Sequence, residues 1–588
     1  MLQYRQCKIQ YRELNAEQEL DCLRKKIAVQ LHLPEQDIKG LRIERKSLDA
    51  RKKPELFWNY TVLFRCGNEN GVMRKNRKNK NLSVFTPPPD LSDVICRVRK
   101  DRVSTQKASG AEELAHAETG GDKPGGRVLI VGAGPAGLMC GYFLAQCGLR
   151  PVIIERGGPM WERVDRVSRF WKEGTLDADT NVSFGEGGAG TFSDGKLNTG
   201  VKDRSGKKPF ILDTFIAHGA PEDIRYAAKP HIGTDRLRRV IQSMREEIEA
   251  LGGTYLFHHT FVGFREKEMP AGKSVDGFQE DQSHASVHTG KKRRLTGIYV
   301  QDEKGNETLL ACDTCVLAIG HSARDTFERL REERIAMQQK PFAVGVRVEH
   351  PQKKINEIQY GTGDESLPAA DYKLTGTTGD GRGVYSFCMC PGGYVVNAST
   401  EAGMTVVNGM SDRARDSGQA NSAVIVTVSE QDLKSGDVLA GVEFQRELER
   451  RTFRVGNGKI PVQRFADFAE GIRSERAEAK SHMPCTKGEA VLADVRSILP
   501  GFISDGIVEG MRQFGKKMPG FDDGDVWVIG TETRTSSPVR IVRDRQLVSE
   551  SLDGLYPCGE GAGYAGGIMS AAMDGLRVAL RIIEGDLD

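Results

Sequence analysis

Apolar residues gather first at 128–131, an unbroken Val-Leu-Ile-Val, and again at 152–154, Val-Ile-Ile. Runs this short, bounded by glycine and proline, predict buried strands. Between them the chain reads Gly132-Ala-Gly134-Pro135-Ala136-Gly137 and then a helical stretch over 138–146, and Glu155 closes the unit. The order is strand, glycine turn, helix, strand, acid. Gly132 permits the tight turn, Gly134 lets the backbone approach a pyrophosphate, and Gly137 lets the helix pack closely on the strand. Pro135 and Ala136 open the helix, whose free N–H groups then face the phosphates. Glu155 stands 23 residues after Gly132, followed by Arg156, where a carboxylate accepts hydrogen bonds from a ribose 2′-OH. The unit predicts a dinucleotide site.

Other patterns place the rest of the chain. Apolar residues at 237, 240, 241, 244, 248 and 251, with a Thr cap and a Gly-Gly stop, predict a scaffold helix over 234–253. Residues 314–320 read as a buried strand ending in a small-residue turn, after a hairpin marked by Gly305 and Asn306. Alternation over 342–349 and 423–428 predicts strands of a β-rich region. At the front, strands at 7–11, 40–44 and 58–65 and a helix over 16–31 suggest a small α+β module of ferredoxin-like kind. Residues 104–126 hold almost no large apolar side chain and read as a linker, and 266–294 read as a surface insertion between two strands.

Composition narrows the class. A chain of 588 residues with 38% hydrophobic and 28% charged residues is globular and too long for one core. No apolar run reaches the ~18 residues of a membrane span, and the first residues lack an apolar signal core, so a cytoplasmic location without membrane contact is expected. The 12 cysteines then read as thiols. Residues 1–107 carry 24 Lys/Arg against 13 Asp/Glu, while the remainder carries 60 against 68. Such a basic front suits an acidic partner or nucleic acid, and equally an ordinary solvated face, which is the preferred reading of the run at 74–80. HExxH, paired CxxC and Walker patterns are absent, so no metal site is expected.

Two distant segments decide between FAD and NAD. The strand at 314–317 leads to Gly320, and Gly554-Leu-Tyr-Pro-Cys-Gly559-Glu560-Gly-Ala-Gly563 leads through Gly566, Gly567 and Ile568 into a helix that runs toward the C-terminus. Together with the first turn these resemble the three nucleotide motifs of glutathione-reductase-like FAD proteins. The resemblance implies that Glu560 holds the ribityl chain and that N–H groups at Gly567 and Ile568 stabilise charge on reduced flavin. The segments NVSFGEGGAGTFSDGKLNTG at 181–200, AIGHSARDT at 318–326, CMCPGGY at 388–394 and SLDARK at 47–52 further resemble a poorly characterised family of FAD-dependent dehydrogenases.

The fold expected is α/β: a doubly wound Rossmann-type FAD domain (127–335 and 527–588), an inserted β-rich α+β substrate domain (336–526), a linker (104–126) and the N-terminal module (1–103). Gly187, Gly188, Gly190 and Thr191 belong to a loop that lies against the cofactor. Catalytic candidates are Lys196, for an anionic flavin or substrate, His321, as a proton donor or acceptor, and Arg324, as a carboxylate clamp; Arg534 and Arg540 are further anion candidates. Cys388 and Cys390 are open to pairing, metal ligation or simple packing, with packing preferred, and Cys312-Asp-Thr-Cys315 lacks a helix N-terminus to activate it. The function expected is FAD-dependent oxidation or reduction of a small molecule through flavin N5, with NAD(P)H at most a transient partner. The alternative is an RNA-associated flavoprotein whose residues 1–107 bind the nucleic acid.

Overall fold

A computed structural model describes residues 1–13, 18–108, 127–268, 293–474 and 483–586. Most of the expected linker, 109–126, and most of the expected insertion, 269–292, lie outside the described residues, as does the start of the helix expected from residue 16. The boundary at 103 is corrected, because a helix spans Ser92–Ala108. Its Val98, with Leu91 before it, is buried in the core of the nucleotide-binding domain. This helix therefore belongs to the body it precedes.

At the centre lies a five-stranded parallel sheet in the order Leu555–Pro557, Thr314–Leu317, Val128–Val131, Val152–Ile154, Thr254–Leu256. Side chains of a strand alternate between faces, and the Val-Leu-Ile-Val run shows the consequence. Val128 and Ile130 pack with helices Pro135–Gln146, Thr234–Ala250 and Ile568–Asp586. Leu129 and Val131 pack with Phe261, Phe264, Ile298 and Val300. Those four residues come from strands His259–Glu268 and Arg293–Asp302, which pair antiparallel and continue into Glu307–Ala311. The doubly wound expectation is thus corrected: helices cover one face, and an antiparallel sheet covers most of the other. The scaffold helix forms as Thr234–Ala250, but its N-cap is Gly233, and the Thr234 hydroxyl donates to the Thr191 carbonyl instead.

A seven-stranded sheet builds the substrate domain, in the order Thr375–Thr377, Gly383–Cys390, Gln419–Val428, Phe342–Pro351, Trp527–Glu532, Ile460–Arg464, Ala490–Leu492. Helix Gly501–Lys517 covers one face with Ile503, Ile507, Met511 and Phe514. Trp527–Glu532 pairs with Phe342–Pro351 and with Ile460–Arg464, so the boundary expected at 526 falls after Glu532.

The front module is a four-stranded sheet in the order Lys39–Lys52, Glu55–Arg65, Leu2–Gln10, Leu82–Val84, all antiparallel. Helix Glu19–Leu31 closes it with Leu23, Ile27 and Leu31. The module is docked rather than tethered. Lys46 N–H donates to the Tyr226 carbonyl at 2.8 Å, Ala228 N–H returns a bond to the Lys46 carbonyl at 2.8 Å, and Leu56 is buried in the substrate-domain core. The basic side chains of 74–80 are exposed.

Gly137 tests the tightest contact of this fold. A Cβ there would stand 1.9 Å from the Gly132 carbonyl oxygen. Overpacking of this kind costs about 1–3 kcal/mol, and a backbone obstacle puts the cost at the upper end. Gly137→Ala should lower the urea midpoint with little change of slope, and the purified variant should carry less flavin than the wild type.

Candidate functional site

A cavity of about 350 Å³ opens where the parallel sheet's strands end and the two larger domains meet. Ligands of open α/β sheets bind outside the carboxyl ends of their strands. The glycine turn supplies Gly132, Gly134, Pro135 and Ala136, the second strand's end supplies Glu155 and Arg156, and the loop after it supplies Gly188, Gly190, Asp194 and Lys196. Ala318–Ala323 enters from the third segment, and Glu560, Gly566, Gly567 and Ile568 from the last.

Backbone, more than side chain, shapes this wall. Gly132 has φ +103°, and a Cβ on it would lie 2.4 Å from the Ala318 carbonyl oxygen, so the turn and the third segment touch directly. Helix Pro135–Gln146 begins at Gly134 without a side-chain cap, which leaves its first N–H groups for a ligand. Around Gly320, Gly566 and Gly567 a Cβ would meet nothing within 4 Å. Two helix N-termini thus face one cleft through glycine backbone, a cradle that suits a pyrophosphate at one end and an electron-rich ring at the other.

Glu155 accepts from Ala133 N–H at 2.9 Å, from Gly157 N–H at 3.0 Å and from Gly185 N–H at 2.9 Å. It still lines the cavity, with acceptor capacity left for a ribose. Arg156 lies over the Phe184 ring and donates to Asp325 and Thr326. Other expected residues stand behind the wall. Gly137 and Thr191 are buried, Gly187 bonds to the Ala133 carbonyl, and Gly559 N–H donates to Asp574 at 2.8 Å; these four position the lining without belonging to it.

Of the catalytic candidates, Lys196 and His321 line the cavity and Arg324 does not. Lys196 stands 3.6 Å from Asp194, whose charge holds its ammonium above the ordinary range against the cost of burial. His321 shares a hydrogen bond with Ser322 Oγ at 2.9 Å. Burial, then the positive fields of Arg534 and Arg324, push its imidazole down to about 4, so it is neutral at physiological pH. Burial raises Glu560 to about 7, with Lys340 opposing, which leaves its carboxyl partly protonated and able to donate as well as accept.

Arg324 is corrected from a ligand clamp to a buried tie. It donates to Glu449 at 2.7 and 2.8 Å and to Glu401 at 2.7 Å. Arg534 lines the cavity but is held by the same carboxylate at 2.7 and 2.9 Å, and donates to Thr400 at 2.7 Å. Arg540 is exposed over the Tyr564 ring. Cys312 and Cys315 are buried thiols raised by desolvation, which makes them unreactive.

The substrate domain supplies the other side of the wall with Phe387, Cys388, Asn408 and Glu532; sequence reasoning had singled out Cys388 but missed Phe387, Asn408 and Glu532. Behind them Arg347 is fully buried and bonds to Glu532, to Asn421 at 2.9 Å and to the Cys388 carbonyl at 2.6 Å. The CMCPGGY segment was the one signal in the sequence that marked this side.

The comparisons agree with the cradle. Residues 126–170 match the family model of an FAD binding domain, and 341–535 match that of an FAD-dependent protein, C-terminal domain-like. Residues 1–65 match a domain of unknown function. An uncharacterized protein of Clostridium beijerinckii is 40% identical over 577 residues, 97% of each chain. Among solved structures, the chain is similar to the glycerol-3-phosphate dehydrogenase of Bacillus halodurans complexed with FAD, at 12% identity, covering 78% of this chain and 64% of that one, with a TM-score of 0.32. It is also similar to a geranylgeranyl bacteriochlorophyll reductase-like protein of Thermoplasma acidophilum, at 10% identity over 78% of each chain and a TM-score of 0.33. FAD is the cofactor. The alternative expectation of RNA binding through residues 1–107 draws no support from these similarities. Among the described residues no helix is long and apolar enough to cross a membrane.

Glu449 offers the sharpest test of how the wall is held. Its two guanidiniums keep it far below the ordinary carboxylate value of 4.5 despite burial. A folded-state pKa below the unfolded one means that the contribution is full above pH 4.5 and is lost as pH falls below it. Removing one partner of a buried ion network costs about 3–5 kcal/mol. Glu449→Gln should lower urea stability by that amount at pH 7, and the gap to wild type should narrow between about pH 4.5 and pH 3.

Proposed function

The chain belongs to the family of the Clostridium beijerinckii protein, an FAD-dependent flavoprotein by its matched regions, and we propose that it is a dehydrogenase of a small molecule bound between its two larger domains. Bound FAD supplies two-electron hydride transfer at its N5. The observation that carries the reading is that one cavity joins the nucleotide cradle to side chains fit to manage charge and protons.

Each residue's task follows from its surroundings. The turn at Gly132–Gly137 and the N-terminus of helix Pro135–Gln146 hold the pyrophosphate, and Glu155 holds the ribose. Glu560 takes the ribityl chain, and the N-terminus of helix Ile568–Asp586 together with the Lys196 ammonium stabilises negative charge beside the ring system. Neutral His321 accepts a proton from the substrate as the electron pair leaves it, and Ser322 orients the ring through Nδ1. Phe387 and Phe261 line the same space and exclude water from it.

The experiment is the visible spectrum of the purified protein, followed anaerobically while NADH, NADPH and then a panel of metabolites are added. A flavin band that a metabolite bleaches, and that neither nucleotide bleaches, is the expected result. Bleaching by either nucleotide would make the protein a reductase with an acceptor still to be found, and a colourless protein that takes up no FAD would overturn the reading. Lys196→Met should keep its flavin and shift the two-electron midpoint potential negative by roughly 30 mV, the equivalent of about 1.4 kcal/mol of lost charge stabilisation.

A further inference from the structure

The CMC segment has a geometry that simple packing does not require. Strand Gly383–Cys390 follows its neighbour Gln419–Val428 in register from Val384 to Phe387 and then slips before Cys390. Cys388 sits in the slip at φ +42°, a left-handed conformation rare for a residue with a side chain. A bulge re-aims a side chain, and Cys388 lines the cofactor cavity while Cys390 is buried behind it. The Cys390 thiol donates to the Cys388 carbonyl at 3.3 Å, which folds the second thiol back against the bulge. Arg347 ties the bulge down, donating to the Cys388 carbonyl at 2.6 Å and lying 3.7 Å from the Cys390 sulfur.

The charges around the pair separate the roles of the two sulfurs. The neighbouring Cys390 thiol, then the fields of Lys196 and Arg347, draw the Cys388 thiol below its ordinary value against burial and the opposing charge of Asp194. The neighbouring Cys388 sulfur and burial drive Cys390 the other way. Glu532, also facing the cavity, is raised to about 7 by burial with Arg347 opposing, so at neutral pH part of its negative charge is spent against the Arg347 guanidinium. A thiol that opens on the cavity from a left-handed bulge, with a second thiol buried behind it two residues on, is the arrangement of an attacking and a resolving cysteine. A lone nucleophile would need no second sulfur.

We propose that Cys388 and Cys390 form a redox pair that exchanges electrons with a small disulfide or its thiols reached through the cavity. Cys388 Sγ attacks one sulfur of the disulfide R–S–S–R, the S–S bond breaks, and one R–S⁻ leaves with the electron pair and takes up a proton. Cys390 then loses its proton and attacks Cys388 Sγ, forming the Cys388–Cys390 disulfide and releasing the second R–S⁻. One disulfide is reduced to two thiols, and one dithiol is oxidised to a disulfide. The cations that stabilise the Cys388 thiolate also favour the reduced pair, so the protein's disulfide is the more oxidising partner and the reverse direction runs readily with thiols. The proposal names a substrate class for the oxidoreductase reading and rests on it only for where the electrons go next.

The tryptic fragment 383–413 contains both thiols and no other cysteine, which makes the test direct. Full-length protein with its flavin is treated at pH 6 with limiting 4,4′-dithiodipyridine, quenched by alkylation and digested. The expected fragment is two hydrogens lighter than the dithiol and resists alkylation. Cys390→Ser should instead trap the thiopyridyl adduct on Cys388, and Cys388→Ser should leave the fragment unmodified. Both thiols alkylated in the wild type, or an adduct on Cys390, would overturn the proposal. Protein that forms the internal disulfide but holds no flavin would sustain the thiol pair and overturn the FAD reading instead.

Discussion

Three backbone N–H groups, from Ala133, Gly157 and Gly185, converge on the Glu155 carboxylate, and the shape of the cofactor cleft depends on that convergence. The three belong to the glycine turn, the end of the second strand and the loop that follows, segments rich in glycine and costly to order. Hydrogen bonds to a charged acceptor are stronger than neutral ones. Arg163 secures the same loop from its carbonyl side: fully buried, it donates to Asn181 at 2.9 Å, Val182 at 2.8 Å and Glu186 at 2.6 Å. An anion gathers the N–H groups and a cation gathers the carbonyls, so a flexible segment acquires one conformation without a regular ladder.

The opposite wall is held by buried charge as well. Arg347 with Glu532, and Arg324 and Arg534 with Glu449, are removed from water at a desolvation cost that their attraction roughly offsets. Such networks add little to net stability. They fix position, because every guanidinium fork has a single arrangement that satisfies its partners. Cys388 and Ser322 each hang from one of these forks, through the Cys388 carbonyl and the Ser322 hydroxyl.

How much of this was legible in the sequence follows from the kind of interaction. The parallel strands, the glycine turn and the two helix N-termini were readable because local spacing and missing Cβ atoms specify them. The strands of the antiparallel cover were read as strands, but the doubly wound expectation put helices on that face of the sheet, since nothing local in a strand marks the face it will meet. Arg324 was read as a ligand clamp for a similar reason: nothing near it in sequence reveals Glu449, 125 residues away. The segment 527–532 was assigned to the wrong domain because a buried strand carries no mark of which sheet it joins. Cys388 was left open between roles, since the left-handed bulge that turns it into the cavity depends on pairing with Gln419–Val428.

The two larger domains are joined where the chain crosses between them, and one crossing is part of the cavity wall. Glu532 ends a central strand of the substrate sheet, and the chain leaves it at once through Arg534 and Thr535, all three lining the cavity. Thr535 then bonds to the Ala343 carbonyl at 2.7 Å, which anchors this exit to the strand where the substrate sheet's chain begins. On the nucleotide side, Ala318–Ala323 leaves the parallel sheet, forms wall, and enters the helix whose Arg324 reaches Glu449. A displacement of either domain therefore acts first on residues that touch the cofactor space. The site is a property of the junction, and neither sheet alone contains it.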